Sequence, residues 1–226
     1  MDKVPFSVYD FFAYLSSGSI LLVTFDYVFG FGLLSQEKVA PLFAVFLVVL
    51  AYVSGHIAAH FSGALLENVV IVRVLKRPNA VLLGEPPRRG FAWMFKSYYR
   101  PLPAETIQRI EQQLEARGVK MAVDSREAIF LHAYAVVTAN AERQQRLDAF
   151  RNQYGFHRNM CFAFAVSAVA ILAAHFMGYH PVRYRWAILS AVVSVTLFYR
   201  YLTFFRQFSY ELFLRYAEWP SQRETR

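Results

Sequence analysis

The chain has one cysteine, Cys161, among 226 residues. No intrachain disulfide can form, so a cysteine-stapled secreted scaffold is excluded. Flanked by Phe162, Ala163 and Phe164, the thiol reads as a small core residue. Acidic residues are scarce, 16 Asp and Glu against 24 Lys and Arg, for a formal charge of +8. The N-terminal stretch Met1 to Tyr9 lacks a basic region feeding a cleavable apolar run, and no Ala-x-Ala-like site stands near Leu21 to Gly32. The first apolar segment is therefore expected to be a retained span. There is no Gly-x-Ser-x-Gly and no ordered acid partner, which speaks against a serine hydrolase. No internal repeat and no strand-rich block is present.

Apolar residues are abundant instead. They make up 56% of the chain, mean hydropathy is +0.28, and there are 22 Phe and 14 Tyr. A bilayer core about 30 Å thick needs roughly 20 apolar residues in helix. Four stretches approach this. Phe11 to Phe25 is uncharged and extends through Val28 to Leu34 past Asp26; Ser7 and Asp10 form a box-like start. Pro41 to Leu66 is uncharged, with Pro41 suited to a first turn. Asn159 to Val182 is the third, and Trp186 to Tyr199, continued by Tyr201 to Phe205, is the fourth. The expected fold class is an all-α integral membrane protein, four transmembrane helices with a small helical cytoplasmic layer.

Basic residues set the expected orientation. One lies in the N-terminal tail, fifteen between Glu67 and Arg158, and five from Arg200 onward; the turns at 36–40 and 179–185 hold one and two. The positive-inside rule then puts both termini and the central loop in the cytoplasm. The sequence divides into 7–77 (two spans and a helical extension), 78–157 (cytoplasmic loop and helices) and 158–220 (two spans and a C-terminal helix). Within the middle part, Pro78 is expected to stop the extension of span two, and Pro78 to Pro103 to be loop-like. Ile107, Ile110 and Leu114 share a face of a helix over Ala104 to Arg117, with Gly118 as cap. A second helix is expected after Asp124, and a polar run, Ala141 to Tyr154, leads into span three. Tyr201 to Trp219 is expected to form a further helix carrying the pair Glu211 and Arg215.

Several polar residues stand out. His56 and His60 are four apart in span two and share its face. A helical His pair can bind a metal, but no third ligand accompanies it; a hydrated seam or pore wall is the favoured role, and no metal or cofactor is expected. Ser16, Ser17 and Ser19 in span one serve either as helix–helix glue or as part of the same seam. Between Arg88 and Arg100 basic and aromatic residues interleave. Arg88, Arg89, Lys96 and Arg100 are the candidates for binding an anionic ligand or partner. Contact with lipid phosphates suits the segment better than nucleic acid, which no recognisable fold supports. Arg151 and His157 have a spacing that resembles the Arg-x(4–6)-His signature of the HEPN ribonucleases, which would imply RNA cleavage.

The layout as a whole resembles small multi-pass proteins found beside bacterial immune systems, including accessory proteins of RNA-guided nucleases. The resemblance rests on Tyr9-Asp10-Phe11-Phe12-Ala13-Tyr14, on Gly55-His56, and on Tyr154-Gly155-Phe156-His157-Arg158-Asn159. It implies a homo-oligomeric effector of the bacterial inner membrane that disturbs the bilayer when infection is sensed. A membrane sensor or anchor that recruits a cytosolic defence protein is the first alternative, and a membrane enzyme the second.

Overall fold

A computed structural model of the chain describes residues 8–33, 40–88, 93–119, 126–179 and 182–219. Among these there are only helices, turns and irregular segments, with no strand. Seven α-helices follow in order: α1 Val8–Phe29, α2 Pro41–Ser62, α3 Pro78–Leu82, α4 Ala104–Ala116, α5 Arg126–Thr138, α6 Ala141–Phe176 and α7 Tyr184–Ala217. A π-helical stretch, Gly63–Leu75, runs on from α2 without a break. Four helical stretches, those led by α1, α2, α6 and α7, are long and apolar enough to cross a membrane. The 22 residues each of α1 and α2 give lengths of about 33 Å at 1.5 Å per residue.

Several boundaries differ from expectation. The polar run from Ala141 and the third apolar stretch are one uninterrupted helix, α6, and the fourth stretch and the C-terminal aromatic helix are likewise one helix, α7. Neither junction carries a proline, and Gly155 stays helical. Pro78 does not open a loop. It sits in the first turn of α3, where its missing N–H leaves no intrahelical bond unmade. The expected helix over Ala104 to Arg117 is α4, ended by Gly118 at φ 70°. Ser7, Lys38, Arg89, Gly90, Asp124 and the turn residue Pro181 lie outside the described residues.

The chain divides into two compact units. The first is Met1–Asn68 with Asn152–Tyr201; the second is Val69–Arg151 with Leu202–Arg226. In the first, α1 packs along α2. The crossing depends on two glycines. A Cβ on Gly18 would lie 1.7 Å from the Ala51 carbonyl oxygen, and one on Gly55 would lie 1.8 Å from that of Tyr14. Only glycine lets these two backbones approach so closely. Leu21, Ala58 and Ala163 form one apolar cluster, and Val28, Ile171, Ala174, Val182 and Ala187 another. Asp26 Oδ1 accepts from Leu33 N–H at 2.8 Å, holding the turn after α1.

The second unit has a conventional core. Ile110 and Leu114 of α4, Ile129, Ala133 and Val137 of α5, Leu147 of α6, and Leu212 and Phe213 of α7 are all buried. Each fully buried Leu or Ile contributes about 1.5–3 kcal/mol. The π-helical stretch closes with a 2.5 Å bond from Lys76 N–H to the Ile71 carbonyl, five residues back. Lys76 has φ 76°, costly for a residue with a side chain. It is held from both ends: Nζ pairs with Glu85 at 2.6 Å, and its carbonyl accepts from the Tyr98 hydroxyl at 2.7 Å. The adjacent Tyr99 hydroxyl donates to Leu75 O at 2.8 Å. Two phenols thus satisfy two carbonyls that the helix end leaves over.

Candidate functional site

The polar residues of the first unit fall into two groups, those paired inside it and those facing outward. At the inner seam of α2 and α6, the Ser62 hydroxyl has two acceptors within reach, Asn159 Oδ1 at 2.8 Å and the Ala59 carbonyl at 2.9 Å. Asn159 Oδ1 also accepts from Arg158 Nε and Nη2 at 3.3 and 3.2 Å. Arg158 forms an ion pair with Glu67, and its guanidinium lies over Gly63, where an added Cβ would sit 3.6 Å from Nη1. Both charged groups are partly shielded from solvent, so the pair is stronger than a surface one, and each member depends on the other for compensation. Further along, Ser167 donates to Ala163 O at 2.9 Å, which leaves Thr24 to donate to Ser167 Oγ at 2.7 Å. Ser194 donates to Cys161 O at 2.9 Å, with the thiol 3.6 Å away. These bonds tie α1 to α6 and α6 to α7.

The residues of the expected seam, Ser16, Ser17, Ser19, His56 and His60, differ in burial. Ser17 is wholly buried and its hydroxyl donates back to Ala13 O and Tyr14 O, at 3.0 and 3.1 Å. Such back-bonding satisfies the hydroxyl within its own helix. Ser16 and Ser19 are half-buried. Both histidines of α2, by contrast, are exposed. The His56 ring stacks on Tyr14 at 4.0 Å and meets Tyr52 edge-on at 4.6 Å. Their neighbours Leu42, Val45, Phe46, Val49, Val53, Ile57 and Phe61 are exposed too. The outward face of α2 is therefore apolar and unpartnered apart from two imidazoles and an aromatic rim.

Of the other residues singled out in the sequence, Arg88, Lys96 and Arg100 are exposed. Arg100 contributes its carbonyl, which accepts from Arg206 at 2.8 Å; Arg89 lies outside the described residues. Arg151 pairs with Asp148 at 3.0 Å, and His157 Nδ1 bonds the Gln153 carbonyl at 2.7 Å. Among the described residues no three His, Cys, Asp or Glu side chains cluster as a metal would require.

Two features were not foreseen from the sequence. An apolar cleft of about 590 Å³ opens between α1, α6 and α7, lined by Ile20, Val23, Ile171, Trp186 and Leu189, with Thr24 and Ser167 as its polar side. The other is a group of basic and aromatic side chains in the second unit, around Tyr216. Both are assembled from residues more than a hundred positions apart, which periodicity does not report. No family model, no curated protein and no solved structure matches this chain.

Proposed function

We propose that this chain is an integral membrane protein whose copies assemble through the outward face of α2 and perturb the bilayer, as an effector of bacterial antiviral defence. The exposure of His56 and His60 on an otherwise apolar helix face carries the reading. Ionisable groups at membrane depth face a bundle interior or a water-filled cavity, because hydrocarbon offers them no hydrogen-bond partner. Here a single copy turns them outward. A second copy placed against α2 would give the imidazoles polar neighbours and cover the apolar ridge, and a ring of copies would line a hydrated seam with them. The Tyr14 ring under His56 fixes that imidazole's orientation. The antiviral setting follows from the family resemblance alone.

Light scattering of the full chain in an uncharged detergent is expected to give a defined oligomer. Induced expression is expected to depolarise cells, and His56→Ala with His60→Ala to suppress depolarisation while the protein stays in the membrane. A strictly monomeric particle, or depolarisation untouched by both substitutions, would remove the basis of the reading. Membrane recruitment of a cytosolic protein is the second reading, favoured by the separate buried core of the second unit; it predicts assembly without depolarisation.

A further inference from the structure

Two arginines and a histidine lie around the last turn of α7, and among the described residues no carboxylate pairs with them. Arg117, the residue just after α4, lies 5.8 Å from the Tyr216 ring centre. His132 of α5 meets the same ring edge-on at 5.8 Å. Arg143 of α6 stacks on Trp219 at 4.5 Å, and Gln113 of α4 donates to the Trp219 carbonyl at 2.7 Å. Four helices of the second unit thus converge on two aromatic rings.

Three polar atoms of this group are buried with no hydrogen-bond partner among the described residues: the Tyr216 hydroxyl, His132 Nε2 and Arg143 Nη1. Tyr216 is 0% exposed, so its hydroxyl has no bulk water to turn to. Leaving such groups unpaired is costly, and more so for a charged one. The carboxylates of this unit that make ion pairs make them elsewhere. Glu85 takes Lys76 and Arg126, Glu127 takes Arg77, Asp148 takes Arg151, and Glu211 takes Arg146 and Arg215. Among the described residues neither Arg117 nor Arg143 has an ion pair. Burial and the Arg117 charge together hold the His132 imidazolium below its ordinary pKa, as expected where positive charge is in excess.

We propose that Arg117, His132, Arg143 and Tyr216 form a binding site for a phosphoryl anion. Two guanidinium groups supply charge and directed N–H donors, the Tyr216 hydroxyl supplies a neutral donor, and His132 Nε2 supplies a donor or acceptor according to its tautomer. The same phosphoryl chemistry is carried by a soluble phosphate ester and by an anionic lipid headgroup. The site rests on the second unit alone and stands whether or not α2 mediates assembly.

The test uses the full chain in an uncharged detergent, titrated with sodium pyrophosphate at ionic strength held constant with sodium chloride. Saturable binding is expected, read by calorimetry and by the change in tryptophan fluorescence. Arg143→Gln and Tyr216→Phe, which keep side-chain shape, are each expected to weaken it tenfold or more, and Arg109→Ala, an exposed cation of α4, to leave it unchanged. Trp219→Phe is expected to abolish the fluorescence change and keep the calorimetric signal. Repeating the titration in phosphatidylcholine nanodiscs, with and without phosphatidylglycerol, separates the two sources. Competition by phosphatidylglycerol identifies the headgroup; its absence identifies a soluble ester. The proposal is overturned if binding is not saturable in either detergent or phosphatidylcholine nanodiscs, or if folded Arg143→Gln and Tyr216→Phe proteins bind as the wild type does.

Discussion

Three glycines of one polypeptide answer differently to the same substitution. Gly18 and Gly55 sit where a methyl group would overlap backbone atoms that cannot step aside. Gly18→Ala and Gly55→Ala are each expected to cost about 1–3 kcal/mol, the range for overpacking a tight contact, read as a lower thermal midpoint in detergent. Gly155 is also helical, but a Cβ there meets nothing within 4 Å. Gly155→Ala is expected to be neutral or to stabilise by about 0.5–1 kcal/mol, since glycine is a poor mid-helix residue. Equal effects at all three positions would contradict the close crossing of α1 and α2. His132 gives a second expectation at this scale. Its folded pKa lies below the ordinary value because of burial and the Arg117 cation. The unfolded chain then takes up the proton first as pH falls, so stability is full above the ordinary histidine pKa and declines below it. Melting is expected to occur at lower temperature at pH 5.5 than at pH 7.5, and His132→Gln to flatten that dependence.

At the scale of elements, the bond between Ser62 and Asn159 and the Arg158–Glu67 pair join α2, the π-helical stretch and α6. Asn159→Leu removes the acceptor of two guanidinium nitrogens and the inter-helix bond of Ser62, whose hydroxyl keeps the Ala59 carbonyl at 2.9 Å, and is expected to cost about 1–3 kcal/mol. Adding Ser62→Ala is expected to cost little more, because the inter-helix bond is already gone and the hydroxyl is held only within its own helix; a double-mutant cycle on thermal midpoints measures the coupling. The long apolar runs made four helices readable from composition alone, and the spacing of Ile107, Ile110 and Leu114 located α4. The atoms that Gly55 meets, on Tyr14, belong to another helix, which spacing along one helix does not report. The continuity of α6 was hidden because a polar segment and an apolar segment look like separate elements when burial changes midway. The extension of span two does end before Pro78, at Leu75, but the short helix that Pro78 opens was not legible, because proline punctuates both helix ends and first turns and only the following residues decide which. A shift from i→i+4 to i→i+5 bonding leaves no compositional mark, so the π-helical stretch could not be read at all.

For the molecule as a whole, the uneven distribution of basic residues leads to an expectation about sidedness. Reporter tags at the two termini are expected to signal from the same, cytoplasmic face; signals from opposite faces would overturn the proposed topology and, with it, the side from which an anion reaches the second unit. The clasp formed by Tyr98 and Tyr99 has a consequence in strong base. Burial pushes the ionisation of both phenols upward, with the neighbouring Tyr99 adding to the effect at Tyr98. In the unfolded chain they would ionise near the ordinary phenol value, so alkali favours opening once pH rises above about 10. A spectrophotometric titration of the 14 tyrosines should therefore show a prompt phase from accessible phenols and a delayed one, and the delayed phase should coincide with loss of helical signal as the end of the π-helical stretch lets go.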